Sequence, residues 1–524
     1  MIKFKAKSIE NVAERAKERM LGKKEEGARI GIIVSIDNFS GGRNYGLKLA
    51  YNVQNNILRK GYETEIITLP TLCDNYKEFT SENNLINIYK EQVASMLELI
   101  LSEKSYDGLV LMPKGLSSKM GMIKAAIRQN LPTIVFGEGP SSISNGGCSL
   151  KDLTLLAGSV AKGKTSAFEF QEKEETQIEY VGEGVDFGSS NILNVMLEVL
   201  GLSIFGSSTT FASTIARENL AKEVAETIVS MTKDRFSPRK LVNKKSITNA
   251  IITNFALGGS TTALESIVEI AKELDIDITF DKALSMQKGV ATLYDTGINN
   301  VTDYATAGGT TTLLKTLGAE KLIDESVKTY TNTALSEWTK KAKSNDRFAK
   351  TTKEALITLR GNLAEKYALA KTLNTQDKTI FEGKVRVFEN DDTASYAVLA
   401  KSISPNTVIV IKNASKSYNG GSTPSQTVRA LEAFDLLDSV VVITEGNIPD
   451  NTKAMVVGNV LPNGDDSNLK IAQDDDIIEI DFVKGKINID LTGKELSQRL
   501  KKHVKDHTQQ PTFVKQYLKL INNK

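Results

Sequence analysis

The sequence contains few of the residues that build metal and redox centres. Its 524 residues include two cysteines, two histidines and one tryptophan. Cys73 and Cys148 stand far apart in no Cys-x-x-Cys pattern, which argues against a disulfide framework or a thiolate zinc site. His503 and His507 have the spacing of one helix face, but they lie in a lysine-rich tail, where a solvated terminal helix is the better interpretation.

Long apolar runs and an excess of charge of one sign are missing too. No stretch approaches the ~20 apolar residues of a membrane-spanning helix, and the N-terminus lacks the apolar core of a signal peptide. The net charge is +2, so we expect neither nucleic acid nor a membrane as a partner. These absences predict a cytoplasmic protein.

What the sequence does contain is three regions of contrasting pattern. Between residues 28 and 140 the apolar runs IGIIVSI, TEIITLP, DGLVLMP and PTIVFG alternate with amphipathic stretches, which predicts a parallel sheet with crossover helices. The pattern is mostly helical from about 190 to 370. After that, KVRVFE, NTVIVIK, SVVVITE, AMVVGNV, DIIEIDF and KINIDL predict a β-rich, barrel-like domain.

These patterns predict an α/β protein with a parallel-sheet N-terminal domain and a barrel-like, swivelling C-terminal domain. The expected divisions are an N-terminal helical extension, the α/β domain, the barrel-like domain and a charged terminal helix, at residues 1–27, 28–373, 374–500 and 501–524 respectively.

Several collinear motifs resemble the dihydroxy-acid dehydratase and 6-phosphogluconate dehydratase family. They include LMPKGLSSKMGMIKAAIRQNLPTIVFGEGP, NILNVMLEVLGLS, ITNAIITNFALGGSTTALESIVEIAKELDIDITFD, DYATAGGTTTLLKTLG and VVITEGNIPDNTKAMVVGNVLP. The resemblance runs roughly from residue 28 to 495 and implies the same two-domain scaffold, usually dimeric, with the active site between the domains.

The resemblance also implies a reaction and its cofactors. The family removes water from a 2,3-dihydroxy acid, using an iron–sulfur cluster as Lewis acid, Mg²⁺ to hold the substrate and a serine as base. Clusters need soft thiolate ligands, and Mg²⁺ needs hard oxygen ligands. In this sequence the family's cysteine positions carry no thiol in SIDNFSGGRNYG, at Gly115 or at Gly184, and the serine position carries Pro449.

From these departures we expect no cofactor and, in particular, no iron–sulfur cluster. Asp74, in a Cys-Asp pair that resembles the family's Cys-Asp-Gly, is the one retained candidate Mg²⁺ ligand. A lone carboxylate is a poor Mg²⁺ site, and a structural or solvated role is the alternative.

Retained polar residues outline a vestigial binding cleft. The candidate binding residues are Asp74, Lys114, Ser117, Lys119, Ser189, Asn191, Ser260 and Thr261. Ser260 and Thr261 open a predicted helix, so a capping role is the main alternative to anion binding there.

Residues Gly158 to Thr165 match the phosphate-binding pattern G-x-x-x-x-G-K-T. The pattern binds nucleotide only between a strand and a helix. The preceding sequence, SLKDLTLLAG, favours a helix, so nucleotide binding is the weakest of the functions considered.

Three functions therefore stay open. The first is a non-catalytic homologue, expected as a homodimer, that binds a small organic acid or a protein partner. The second is a lyase- or isomerase-type enzyme that uses altered, cluster-independent chemistry on a hydroxy or sugar acid in the same cleft. The third is nucleotide binding through Gly158–Thr165.

Overall fold

The computed structural model of the protein describes most of the chain. The described residues are 28–37, 45–71, 86–141, 150–175, 181–297, 299–345, 347–348, 353–375, 379–412, 414, 422–464 and 467–502.

A four-stranded parallel sheet opens the N-terminal domain and confirms the prediction from the four apolar runs. Its strands are β1 (Arg29–Asp37), β2 (Glu63–Thr71), β3 (Gly108–Met112) and β4 (Thr133–Val135), in the order β2-β1-β3-β4. The crossover helices are α1 (Tyr45–Leu58), α2 (Ile86–Glu103) and α3 (Leu116–Gln129). β3 and β4 are buried along their whole length, as strands covered on both faces must be.

Helices make up the rest of this domain and pack on the same core. They are α4 (Leu150–Ala161), α5 (Ala167–Glu175), α6 (Ser189–Val199), α7 (Ile215–Lys233), α8 (Pro238–Leu241), α9 (Lys244–Ala256), α10 (Thr261–Glu273), α11 (Phe280–Ser285), α12 (Val301–Thr306), α13 (Gly309–Ala319) and α14 (Ser336–Thr339). The apolar residues of α10 recur every three or four positions, so one face enters the core while the other carries charge.

The C-terminal domain is built on an eight-stranded mixed sheet. Its strands are β5 (Leu356–Leu359), β6 (Tyr367–Lys371), β7 (Ile380–Phe388), β8 (Thr407–Ile411), β9 (Val440–Thr444), β10 (Met455–Leu461), β11 (Ile477–Asp481) and β12 (Lys486–Ile489). The order is β12-β11-β7-β8-β9-β10-β6-β5, and a bridge between Arg360 and Lys486 nearly closes it into a barrel. Helices α15 (Asp391–Leu399), α16 (Ser425–Ala433) and α17 (Gly493–Lys502) accompany this sheet. The prediction of a barrel-like second domain is confirmed.

The boundary at residue 374 stays a prediction, and two strands of the C-terminal sheet lie ahead of it in the chain. β5 and β6 pair with each other, and β6 pairs with β10, so both strands belong to the C-terminal sheet. The sequence LITL is short and YALAK is rich in alanine, so neither shows the alternation of a half-exposed strand. The predicted N-terminal extension, 1–27, and all of the predicted tail beyond Lys502, including both histidines, lie outside the described residues.

Among the helices in the described ranges, none is long and apolar enough to cross a membrane.

Candidate functional site

The first part of the candidate site lies at the carboxyl edge of the N-terminal sheet. β3 and β4 are adjacent and parallel, so the residues that follow them emerge side by side. Lys114 follows β3 and Glu138 follows β4, and the Lys114 Nζ lies 3.9 Å from the Glu138 Oε2. Ligands of open α/β sheets bind at this edge. The sequence reasoning identified Lys114 but missed Glu138.

A second buried ion pair lies beside the first. Lys119, in the first turn of α3, donates to the Glu183 Oε2 over 2.7 Å and to the Ser190 Oγ over 3.0 Å. Glu183 also accepts hydrogen bonds from Ser190 and from the Asn194 amide. The side chains of Lys119 and Glu183 are 0% and 1% exposed. Each buried charge is therefore paired and further hydrogen-bonded, which is what its burial requires.

Two features show how closely these groups are packed. Burial raises the pKa of Glu138, and the neighbouring Lys114 charge opposes that rise. The other oxygen of Glu183, Oε1, is buried without a hydrogen-bond partner. A Cβ added to Gly137 would lie 2.6 Å from that oxygen, so a larger residue there would force the Glu183 carboxylate to shift. The edge of the sheet holds two carboxylates and two ammonium groups in a confined space.

Other predicted binding residues at this edge are scattered. Ser117 is buried in the first turn of α3. Asn191 donates to the carbonyl oxygens of Asp186, over 2.8 Å, and Gly184, over 3.3 Å, and so holds the turn before α6. It is Ser190, rather than the predicted Ser189, that joins the Lys119–Glu183 cluster. Asp74 lies outside the described residues.

The second part of the candidate site lies where the two domains meet. Ser260 caps α10, because its Oγ accepts a hydrogen bond from the Ala263 N–H over 3.1 Å, as the capping interpretation predicted. Thr261, the first residue of α10, accepts a hydrogen bond through its Oγ1 from the Ile448 N–H of the C-terminal domain, over 3.2 Å. The Gly-Gly-Ser-Thr loop thus contacts the segment that follows β9.

That segment places a carboxylate on the same helix end. Asp450 accepts a 2.7 Å hydrogen bond at Oδ2 from the Ser260 Oγ and a 2.9 Å bond at Oδ1 from the Lys371 Nζ. Lys371 and Asp450 are each 5% exposed.

Beside this ion pair lies an amide–carboxylate cluster. The amides of Asn447 and Asn459 donate to the two oxygens of Glu265, over 3.2 and 3.3 Å, and Asn459 also donates to Asn447 over 2.8 Å. Glu265 lies one turn into α10, so this cluster too joins the two domains. Asn459 adopts a left-handed conformation at φ 51°, which asparagine tolerates better than most residues.

A small groove borders the Asp450 segment. Pro449, which the resemblance places at the family's serine position, forms one wall, and α16 forms the other. The lining residues are Ser425, Val428, Arg429, Glu432, Pro449, Asn451 and Thr452. Arg429 supplies a cationic guanidinium, the group best suited to bind a carboxylate through two hydrogen bonds.

The predicted phosphate-binding motif has a different structural role. Its first residues lie inside α4, so they do not form a loop between a strand and a helix. A Cβ on Gly158 would collide with that of Ala433 in α16, which explains the glycine by close helix packing. Lys162, also in the motif, pairs with Asp435 over 2.7 Å. This arrangement argues against nucleotide binding.

Sequence reasoning missed Glu138, Glu183, Lys371 and Asp450. Lys119 and Glu183 are 64 residues apart, and Lys371 and Asp450 are 79 apart, so no local pattern links them. One signal was available: Lys371 ends the strand YALAK, which is buried throughout. A charge in such a segment needs a partner.

Within the described ranges, no group of three or more His, Cys, Asp and Glu side chains could hold a metal ion. The carboxylates at the sheet edge are engaged with lysines, and Asp450 is engaged with Lys371. These residues alone do not fit a cluster or Mg²⁺, and we derive no step through either. Cys73, Asp74 and Cys148 lie outside the described ranges.

Comparisons with known proteins match both domains. The model for the dihydroxy-acid/6-phosphogluconate dehydratase N-terminal domain matches residues 28–338, and the model for the C-terminal domain matches residues 345–524. A dihydroxy-acid dehydratase of Caldanaerobacter subterraneus is 29% identical over 427 residues, 78% of this chain and 77% of its own. One of Clostridium botulinum strain Alaska E43 is 27% identical over 521 residues, 95% of this chain and 94% of its own.

These matches correct the expectation that the chain uses no cofactor. Family models cover nearly the whole chain, and its relatives carry the name of a dehydratase whose family normally uses an iron–sulfur cluster and Mg²⁺. The expectation rested on the absence of cysteine at positions matched by eye to the family's cysteine loops. The relatives are under 30% identical, and at that identity such a match of loop residues does not establish which residues correspond. Loss of the cluster does not follow from it, so that prediction is withdrawn.

Family and fold agree in detail. The boundary between the matched models falls between residues 338 and 345, ahead of β5, where the structure changes from the helical domain to the barrel-like sheet. The motifs that suggested the resemblance lie in the matched ranges, and the junction residues belong to both domains. The chain belongs to the dihydroxy-acid/6-phosphogluconate dehydratase family.

Proposed function

We propose that this chain binds a small hydroxy or sugar acid at the junction between its domains without dehydrating it, and that it acts as a binding or regulatory homologue. The observation that carries the proposal is Pro449. The resemblance places the base serine at this position, and proline has no hydroxyl to deprotonate. The groove beside Pro449 contains both Arg429 and Glu432, and we propose a carboxylate ligand because a guanidinium can bind it through two hydrogen bonds.

The surroundings of Pro449 support binding over proton transfer. Asp450, the neighbouring acid, is engaged with both Lys371 and Ser260. A general base must reach the proton that it removes, over about 2.6–3.2 Å. A carboxylate with both oxygens already hydrogen-bonded in a buried ion pair is poorly placed for that role.

The test has a binding arm and a catalytic arm. The purified protein is titrated with a panel of hydroxy, dihydroxy and sugar acids by calorimetry, and the acid that binds is repeated with Arg429→Ala. We expect the variant to lose about tenfold or more in affinity, the worth of a charge-assisted hydrogen bond. Arg239→Ala is the matched control, because Arg239 pairs with Asp275 on the surface.

The catalytic arm follows dehydration of the same acids after anaerobic reconstitution with iron, sulfide and Mg²⁺. The proposal predicts binding without formation of a 2-keto acid. Turnover by the reconstituted protein would show that a group other than the residue at position 449 serves as base, and the proposal would be abandoned.

A second function has its own support. The two lysine–carboxylate pairs at the carboxyl edge of the sheet, Lys114–Glu138 and Lys119–Glu183, are buried where α/β enzymes place reacting groups. A carboxyl group whose pKa is raised by burial beside a charged partner, as for Glu138 beside Lys114, is typical of an acid–base residue. Lyase or isomerase chemistry on a hydroxy acid is therefore the alternative. It predicts product formation that Glu138→Gln abolishes.

We also propose that the chain forms a homodimer, the usual state that the family resemblance implies. Sedimentation of the full chain should give about twice its mass of 57.2 kDa. A protein partner of regulatory type would appear as a larger, heterogeneous complex. A monomer at micromolar concentration would contradict the proposal.

A further inference from the structure

The Asp450 carboxylate makes the contacts that a bound carboxylic acid ligand would make. Each of its oxygens accepts one hydrogen bond, from the Lys371 Nζ over 2.9 Å and from the Ser260 Oγ over 2.7 Å. Lys371 donates further to the Asp450 carbonyl oxygen over 3.3 Å. One cation and one hydroxyl, both buried, form the polar surroundings that a small-molecule carboxylate needs.

The donors come from both sides of the domain junction. Ser260 caps α10 in the N-terminal domain, whereas Lys371 ends β6 in the C-terminal domain. Among the described residues, Lys371 Nζ has hydrogen bonds to Asp450 alone. If the Asp450 side chain were absent, a buried ammonium would face a helix N-terminus across a cavity, an arrangement that strongly favours an anion.

The Asp450 segment also forms one wall of the groove. Pro449, Asn451 and Thr452 line it, and Asp450 points from the same segment toward the helix end. The contact between the Ile448 N–H and Thr261 holds this segment against α10. A ligand carboxylate entering the groove therefore meets the segment whose own carboxylate already occupies the donors.

We infer that Lys371 and Ser260 form a carboxylate-binding site that the chain fills with its own Asp450, so that an acid ligand binds there by displacing it. This inference rests on the proposed function and specifies its regulation. Because the ligand must wait for Asp450 to leave, its apparent affinity equals the intrinsic affinity multiplied by the fraction of time for which the site is open. If Asp450 is away for about a tenth of the time, the apparent affinity is about tenfold weaker than the intrinsic one.

Acetate is the probe, because it reproduces the Asp450 side-chain carboxylate. Wild type, Asp450→Ala and Asp450→Asn are titrated with sodium acetate by thermal shift, with sodium chloride holding the ionic strength constant. We expect Asp450→Ala to bind acetate at least about tenfold more tightly than wild type. Asp450→Asn is the matched control, because it removes the charge but still fills the space, and we expect no such gain.

Two outcomes overturn the inference: equal acetate affinity in wild type and Asp450→Ala, or an equal gain in Asp450→Asn, which would trace binding to lost charge alone. A double variant, Asp450→Ala with Lys371→Met, should lose the gained affinity. If it binds acetate as well as the single variant, Lys371 does not form the site.

A measurement on wild type covers the case in which Asp450→Ala does not fold. Displacement of Asp450 by concentrated acetate should accelerate hydrogen exchange at the Ile448 N–H relative to chloride, and unchanged exchange would refute the inference. Failure here and failure of the proposed function are distinguishable. If acids bind wild type through Arg429 but Asp450→Ala gains no acetate affinity, only the proposed function stands. Acetate binding by Asp450→Ala without any acid ligand for wild type would leave only the carboxylate site.

Discussion

Replacing Lys119 by methionine tests whether the buried pair at the sheet edge stabilises the fold. The substitution preserves much of the side-chain volume but leaves the Glu183 carboxylate, 1% exposed, without its cation. Breaking a buried ion pair from one side costs about 3–5 kcal/mol, because the remaining charge is uncompensated. Ser190 and Asn194 still donate to Glu183, so we expect the lower end of that range.

Thermal unfolding is the assay. A loss of about 1 kcal/mol lowers the Tm of a domain of 150–250 residues by about 2–4 °C, and by less in a larger one. For Lys119→Met we therefore expect a decrease of about 6 °C. The control is Lys60→Met, which breaks a half-exposed pair with Glu226 at 3.4 Å and should cost at most about 1 kcal/mol.

The double variant Lys119→Met with Glu183→Gln distinguishes the cost of an unpaired buried charge from the cost of altered packing. Both charges are then gone and the buried volume is nearly conserved, so the Tm should recover most of the loss. The reasoning would be refuted if Lys119→Met unfolded like the Lys60→Met control. It would equally be refuted if the double variant were as unstable as the single one, because the cost would then come from packing and not from charge.

Three further outcomes are expected. Burial raises the pKa of Glu198 to about 7. The protonated carboxyl group therefore stabilises the fold fully below the unfolded pKa near 4.5, and this stabilisation is lost as the pH rises through about 7. Glu198→Gln should remove about 3 kcal/mol of this pH dependence, measured by urea unfolding of variant and wild type across the pH range. Gly158→Val should lower the Tm by several degrees through its collision with Ala433, with ATP affinity undetectable by calorimetry in both proteins, whereas nucleotide binding lost on substitution would restore the phosphate-loop interpretation. Thr261→Val should accelerate hydrogen exchange at the Ile448 N–H, which loses its acceptor, while exchange within β9 stays unchanged.

Strands with long β-branched runs were predictable from the sequence, and those without them were not. IGIIVSI and SVVVITE correspond to β1 and β9, because a buried parallel strand must be apolar on both faces. LITL and YALAK became β5 and β6 without any such run. β5 pairs with β6, and β6 pairs with β10, about 90 residues later in the chain. Their strand conformation depends on this long-range pairing, which a local sequence pattern cannot reveal.

The same distinction applies to the candidate site. Ser260 was predictable because an N-cap is a local feature: a hydroxyl three residues before the N–H that it accepts. The partners of Lys119 and the whole Lys371–Asp450 pair depend on strands and helices that meet only in the folded chain. Glu138 and Asp450 each follow a strand, and in the sequence a polar residue at such a position cannot be distinguished from any other loop residue. Only the parallel pairing of neighbouring strands turns such positions into a site.

The charges of the described site balance internally, and this has a consequence for any ligand. Lys114, Lys119 and Lys371 each face a carboxylate of the chain itself. An acid that inserted beside an intact pair would add an uncompensated negative charge in a poorly solvated space, which is costly. Exchange of one carboxylate for another avoids this cost because the number of charges around the lysine stays constant. Of the three pairs, only Lys371–Asp450 has its acid on a segment that borders the groove, so the exchange is expected there.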